Sequence, residues 1–465
     1  MATTETTLDH SSLGFWRSLA QPIAAQAPSA GIALIPATMA AVTGTYGTMS
    51  FVLGLIAGLF LAYVFYRLAR RVVSAGSVYS FARLMLGPAF AFIVAWAYMA
   101  NDIFVGSGIV SQASDYLGSA ISMTFGTSVF WIIFAVVIWF LVVYFASRKV
   151  KLSTTLLLAV EAISSLLVII GGIIVLTKGG YGGHNFGFSA FSLKGVSMSS
   201  LFFGVSVAFL GFGGFEQATA LGEETKNAKA TIPLTIWVAI IFSALLYIFG
   251  SWFEAVGFKN SAALAASATP LFSVISAYVS PTMAAILAFS TTISAFSAAL
   301  ALTLHGTRLL YALFRDGFIN RSLAAVHQTQ RSPITAVYVF AIPLFVFSIG
   351  FFWTSSANAF NWVATGGGVF LSIAYFLLAV AAIVYFFRER RVFTGVVAVI
   401  AALIIGYALY SSVYPIPSFP FNVVIYVVAL LLLVGIAIIA FNGRLRKALT
   451  SASFGTGSET VSEAG

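Results

Sequence analysis

"FLGFGGFEQATALGEETKNAKATIPLTI", Phe209 to Ile236, is the stretch on which the reading of the fold turns. It lies inside a long apolar run, yet it holds glycines at 211, 213, 214 and 222, a glutamate at 216, and then the charges Glu223, Glu224, Lys226 and Lys229. Each glycine weakens an α-helix by up to about 1 kcal/mol relative to alanine. The whole chain is 60% hydrophobic and 8% charged, with a mean hydropathy of +1.02. Soluble domains carry about 25% charged residues, so lipid rather than water must face most of this surface. In lipid every backbone N–H and C=O needs an internal partner, and irregular backbone survives only where it is buried in protein or lines a cavity. The cluster Gly211, Gly213 and Gly214 therefore marks either close helix packing, for which membrane proteins use small residues, or a break in a membrane helix.

Apolar runs of the length needed to cross a hydrocarbon core, about 20 residues each, occur at twelve places from Gln21–Gly44 to Asn422–Phe441. The third is read at Pro88–Ala113, the fifth at Leu152–Thr177, the sixth at Ser199–Gly222 and the eighth at Met283–Leu304. With the N-terminus in the cytoplasm, twenty of the 23 Lys and Arg fall on the cytoplasmic side, and only Lys178, Lys194 and Lys259 fall outside. That asymmetry follows the positive-inside rule. It puts both termini and the loop Arg388–Arg391 in the cytoplasm and His184 outside, in a multi-pass protein of the cell membrane. It also removes nucleic acid as a partner, because the net charge of +10 is spread over loops facing lipid headgroups. The absence of cysteine excludes disulfides and thiolate metal sites. No cleavable signal peptide is expected, since Met1–Ser12 has no basic residue. Residues 1–18 and 446–465 read as disordered cytoplasmic tails, and 19–445 as one transmembrane domain.

The first span, "QPIAAQAPSAGIALIPATMAAVTG", holds prolines at 22, 28 and 36, and Ser29, Ala30 and Gly31 follow the second. Pro28 removes a backbone donor and clashes with the preceding turn. A proline with a small-residue triplet in span one, answered by a glycine cluster in span six, is the pattern of interrupted helices at corresponding places in two repeats, which points to a transporter's binding site.

At this point the residues resemble the amino acid–polyamine–organocation permeases. The resemblance rests on Phe212-Gly213-Gly214-Phe215-Glu216, then Gly222-Glu223-Glu224-Thr225-Lys226-Asn227 and Ile232-Pro233. Ser77-Val78-Tyr79 with Leu86-Gly87-Pro88, and Arg308-Leu309-Leu310-Tyr311-Ala312 with Arg315-Asp316-Gly317, extend it over nearly the whole chain. Ala228 departs from the family's proline, and Ser29-Ala30-Gly31 from its Gly-Ser-Gly. The resemblance implies an all-α multi-pass protein of the LeuT type. Its 5+5 inverted repeat would cover about 20–178 and 198–387, with two C-terminal helices at about 392–441, making twelve transmembrane helices of which the first and sixth are discontinuous. It also implies secondary active transport of an amino acid or related amine by alternating access.

The half-helix after the first break would offer N–H groups to a carboxylate, and the half-helix ends before each break would offer carbonyls to an ammonium. By the family pattern the substrate would meet Ala27, Pro28, Ser29, Ala30 and Gly31 in span one, Asn101 in span three, and Phe209, Leu210, Gly211, Phe212 and Gly213 in span six. Acids at membrane depth are expensive and are by default functional candidates. Here they are Glu216, Glu161 and Asp102, in that order as proton-coupling groups, while Glu254 reads as solvated at a span end. Desolvation favours the neutral form of a carboxyl group, which suits such an acid to take up and release a proton. Ser294 and Ser297 mark the place of a possible sodium site, although such hydroxyls more often bond their own backbone. Protons are favoured over sodium as the driving ion, and amino acid/polyamine exchange and sodium symport stay open as alternatives. A channel would need a continuous polar stripe through the spans. An enzyme would need clustered acids and histidines, whereas His10, His184, His305 and His327 read as lying in a tail, loops or span ends. No cofactor is expected, since a Walker loop is absent and the glycines of span six lack the setting of a dinucleotide fingerprint.

Overall fold

A computed structural model describes residues 12–126, 130–183, 188–318 and 321–441, with the side chains of Val42, Val150, Lys151, Leu152 and Leu210 outside that set. The tail beyond 441, the first eleven residues and His184 lie outside the described residues.

The helices run in order as α1 (Phe15–Gln26), α2 (Pro28–Ile32), α3 (Ile35–Thr43), α4 (Thr48–Ala69), α5 (Ser77–Leu86) and α6 (Pro88–Phe125). They continue as α7 (Trp131–Ala146), α8 (Val150–Thr177), α9 (Met198–Phe212), α10 (Ala228–Gly257), α11 (Ser261–Ala265) and α12 (Pro270–Tyr278). The last are α13 (Pro281–Arg315), α14 (Ile334–Ile349), α15 (Ser356–Arg388), α16 (Val392–Val413) and α17 (Phe421–Phe441). Among the described residues no strand forms, beyond a single bridge between Leu13 and Thr225. Among the described residues eight helices are long and apolar enough to cross a membrane by themselves, and Phe15–Ile32 with Ile35–Ala41 is so as a bent pair. Three shorter apolar helices are α7, α14 and the first part of α9.

Two helices extend well past their expected bounds. α6 has 38 residues and α13 has 35, where about 20 suffice. The added turns carry Ser114, Asp115, His305, Thr307 and Arg308, whose polarity resembles a loop in sequence. They are helical because Ser114, His305, Thr307 and Arg308 are buried among neighbouring helices, while half-buried Asp115 accepts from Ser356 of α15. α6 packs most extensively against α13 and α15, and this trio forms the centre of the molecule. Hydroxyls add to the packing: Ser107 and Ser111 of α6 donate to the carbonyls of Leu344 and Ser348 of α14, both at 3.0 Å.

The end of the bundle that carries most of the arginines is crossed by backbone hydrogen bonds and ion pairs. Leu13 N–H donates to Glu224 O (2.9 Å) and Lys226 N–H to Leu13 O (2.8 Å), so ordered chain begins ahead of residue 19, where the membrane domain was expected to start. Arg308 grips Glu224 with two donors at 2.8 and 3.1 Å, both side chains almost fully buried. Arg315 meets Glu223, Arg83 meets Asp316, and Arg71 meets Glu389 and Tyr385. On α5, burial and then the Asp316 carboxylate push the Tyr79 phenol far above its ordinary value, which keeps it a donor to Asp316 at 2.6 Å.

Candidate functional site: two breaks and their buried partners

The first span breaks where proline and small residues predicted it. Ala27 adopts a left-handed conformation (φ 35°, ψ 58°), and Pro28 begins α2 at a position where its missing N–H does no harm. A second interruption at Ala33–Leu34 carries the sharp bend of the span, 64° between Phe15–Ile32 and Ile35–Ala41. The sixth span breaks over Gly213–Glu216, with Gly214 at φ +97°, and resumes as a 3₁₀ helix over Gln217–Glu224.

The freed backbone groups find partners on other helices. Tyr247 of α10 donates to Gln26 O (3.0 Å), and Tyr116 of α6 donates to Ala30 O (2.9 Å). Gln26 links the breaks directly, since its Nε2 donates to Phe212 O (2.8 Å) while Ser243 donates to its Oε1 (2.9 Å). Tyr247 also explains two glycines. A Cβ on Gly31 would lie 1.9 Å from its hydroxyl oxygen, and one on Gly211 would lie 2.9 Å from its ring. Sequence reasoning passed over Gln26, Tyr116 and Tyr247. Only Gln26 carried a signal, as an amide beside the predicted break.

The acids are placed differently from one another. Glu161 of α8 reaches the first break: Ser29 N–H donates to its Oε1 at 3.3 Å. Ser29 Oγ lies 2.8 Å from Glu161 Oε1 and 2.7 Å from Ser294 Oγ, and Ser294 Oγ lies 2.5 Å from Glu161 Oε2. Ser165 adds a weaker contact at 3.4 Å. Three helices, α2, α8 and α13, thus meet in a closed ring of oxygens. Ser164, one turn along, instead pairs with Ser290. Glu216 accepts from Tyr375 of α15 at 2.8 Å, and its Oε1 has no protein partner. Asp102 accepts from its neighbour Asn101 at 3.2 Å and meets His305 Nδ1 at 2.6 Å.

Two expectations are corrected here. His305 is not at a span end. It is fully buried within α13, because that helix continues to Arg315. Glu254 is not solvated either: it is buried with neither carboxylate oxygen partnered, since α12 folds over the end of α10 and sets Val274 against Gly257.

The remaining candidates are packed among the helices. Phe209 and Phe212 turn their rings toward α4 and α10, Phe209 beside Gly58 and Ile240 of those helices, and Phe212 against Phe51, Gly54 and Tyr247. The side chain of Leu210 lies outside the described set. Gly213 N–H donates to Phe209 O at 2.7 Å, and Gly31 N–H to Ala27 O at 2.9 Å. Ser297 bonds the carbonyl of Ile293 in its own helix, so it is Ser294 alone of that pair that reaches another helix through its hydroxyl. Among the described residues no group of three or more His, Cys, Asp or Glu could hold a metal ion.

The amino acid permease family matches residues 13–441, and the chain belongs to it. A branched-chain amino acid permease of Lactococcus lactis is 27% identical over 346 residues, covering 68% of this chain and 70% of that one. A methylthioribose transporter of Bacillus subtilis is 26% identical over 330 residues, covering 67% and 69%. A low-affinity putrescine importer of Escherichia coli is 24% identical over 302 residues, covering 63% and 65%. The family and these relatives are transporters and not enzymes, and the helices describe a multi-pass membrane protein.

Proposed function

We propose that this member of the amino acid permease family moves an amino acid or a related amine across the cell membrane by alternating access, with a proton on Glu161 as the coupled ion. The relatives support the substrate class, since their names include branched-chain amino acids and putrescine. The paired interruptions of the first and sixth spans support a LeuT-type arrangement of two five-helix repeats and two further helices. Counting α1–α3 and α9 with its 3₁₀ continuation as one span each gives twelve crossings, with both termini on the basic, cytoplasmic side.

The observation that carries the coupling is the oxygen ring around Ser29. It has three contacts of 2.5 to 2.8 Å, and the two serines supply only two protons. With an ionised carboxylate both hydroxyls point at Glu161, and the Ser29–Ser294 contact is left without a hydrogen. With a carboxylic acid, Oε1–H donates to Ser29, Ser29 to Ser294, and Ser294 to Oε2, so every contact is a hydrogen bond. The neutral acid fits this geometry. A substrate carboxylate seated at Ser29, Ala30 and Gly31 would compete with Glu161 for the Ser29 amide and hydroxyl. Substrate arrival then opens the ring and withdraws donors from Glu161, which links occupancy of the break to the proton. Ser294 is engaged in this ring and Ser297 bonds its own helix, an arrangement that favours a proton over sodium.

The test is uptake into proteoliposomes of a panel of labelled amino acids and amines, with an imposed pH gradient or a sodium gradient. Accumulation of at least one amino acid or amine on the pH gradient without sodium is expected. Strict dependence on sodium would overturn the coupling, and transport of none of the panel would overturn the substrate class.

A further inference from the structure

A second buried polar chain runs through the molecule and touches neither Ser29 nor Glu161. His305 of α13 and Asp102 of α6 are both fully buried, with Nδ1 2.6 Å from Oδ2. The other ring nitrogen, Nε2, lies 3.1 Å from Ser77 Oγ at the start of α5. Ser77 Oγ lies 2.6 Å from Thr219 Oγ1 in the 3₁₀ segment that follows the second break. The chain thus joins the central helices to the half-helix beyond the second break by groups that can each donate and accept. Ser77 is a non-glycine residue at φ +47°, a conformation that costs about 1–2 kcal/mol. Strain of this kind persists where surrounding structure enforces it, often at functional positions.

Several polar atoms near this chain lack partners. Asn101 Oδ1 sits beside Asp102, Tyr98 OH belongs to a ring 4.7 Å from the imidazole, and Glu216 Oε1 lies within electrostatic reach of His305. The ordinary reading of a buried histidine is a satisfied core residue. It accounts for Nδ1 on Asp102 but leaves unexplained the strained serine and the partnerless atoms gathered around it.

We propose that His305, held by Asp102, carries a second proton, separate from the one on Glu161, and that Ser77 and Thr219 form its relay toward the basic end of the bundle. In the neutral state Nδ1–H donates to Asp102, Ser77 donates to Nε2, and Thr219 donates to Ser77. A proton from bulk water reaching Thr219 Oγ1 displaces that hydroxyl's own proton onto Ser77 Oγ, and the Ser77 proton moves to Nε2. One bond to hydrogen forms and one breaks at each oxygen. The result is an imidazolium balanced by the Asp102 carboxylate, with Nε2–H now donating to Ser77 and Ser77 to Thr219. Reversal returns the proton. The titratable or charged groups facing His305 are Asp102 and Tyr98 of α6 and Glu216 with its partner Tyr375 of α15, and the Arg308–Glu224 pair lies one turn further along α13.

This inference rests on proton coupling as proposed above, and the experiment separates the two. Proteoliposomes with wild type, His305→Gln and Ser77→Ala are assayed for substrate counterflow and for accumulation on a pH gradient, at external pH from about 5 to 8, the range in which imidazoles change charge. His305→Gln should retain counterflow within about threefold while accumulating at least about tenfold less, as loss of a proton-transfer group entails, and its counterflow should lose the wild-type pH profile. Ser77→Ala should keep the pH profile but accumulate more slowly. Wild-type profiles and accumulation in His305→Gln overturn the inference. If that variant does not fold, unchanged accumulation by Ser77→Ala overturns it. Failure of the wild type itself to accumulate substrate on a pH gradient overturns the coupling, and this inference with it.

Discussion

The two breaks reach the same end by different means. The first is local: one left-handed residue, Ala27, followed by a proline that starts the next helix, with flanking carbonyls taken by Tyr247 and Tyr116. The second is spread over Gly213–Glu216, depends on Gly214 at φ +97°, and is followed by eight residues of 3₁₀ helix. Runs of 3₁₀ helix longer than three or four residues are uncommon, because their hydrogen bonds are poorer. The first break is therefore held by a stiff residue and the second by packing around a permissive one. Their acids follow suit. Glu161 is enclosed by two hydroxyls and an amide, whereas Glu216 has one tyrosine hydroxyl and one partnerless oxygen.

If that contrast is right, the second break should be the more fragile. Gly214→Ala should be the most damaging change, since it strains the backbone and sets a Cβ 2.9 Å from that of Ala25. A loss of about 3 kcal/mol is expected, read as a lowered melting temperature in detergent together with lost counterflow. Wild-type melting would show that the second break does not need glycine. Tyr375→Phe removes the donor to Glu216 and should cost about 1–3 kcal/mol, with melting again the readout. A smaller loss than Tyr247→Phe produces at the first break would reverse the comparison. Pro28→Ala restores an N–H at the first break, should change stability by no more than about 1 kcal/mol, and should weaken substrate binding. Unaltered binding would make the break dispensable.

Much of this was legible in the chain. Broken backbone favours glycine and proline, so the interruptions at Ala27–Pro28 and Gly213–Glu216 could be located from residue type, whereas the bend at Ala33–Leu34 could not. Glu161 stood out as a lone acid in an apolar span. Which of Glu161 and Ser164 faces the break was not legible, because the rotation of α8 is set by its packing on α1 and α13. His305 was misplaced because the eighth span was cut at Leu304, just where the helix turns polar and continues for eleven more residues. Phe209 and Phe212 were picked out by their proximity to the break, and the packing of their rings toward α4 and α10 could not be read from residue type.

The smallest expected effect sharpens the contrast from within one helix. Ser297→Ala removes a hydroxyl that serves only its own backbone and should shift stability by about 0.5 kcal/mol or less, with uptake unchanged. Ser294→Ala opens the ring at Glu161 and should impair uptake. Equal behaviour of the two variants would mean that the ring has no part in transport.

The most direct measurement is Glu161→Gln in proteoliposomes, comparing counterflow with accumulation on a pH gradient. A glutamine can keep the ring closed, with its N–H donating to Ser29 and its carbonyl accepting from Ser294, but it cannot release a proton. Counterflow near the wild-type rate with accumulation lost is the expected result. Accumulation equal to that of the wild type would contradict Glu161 as the carrier of the coupled proton.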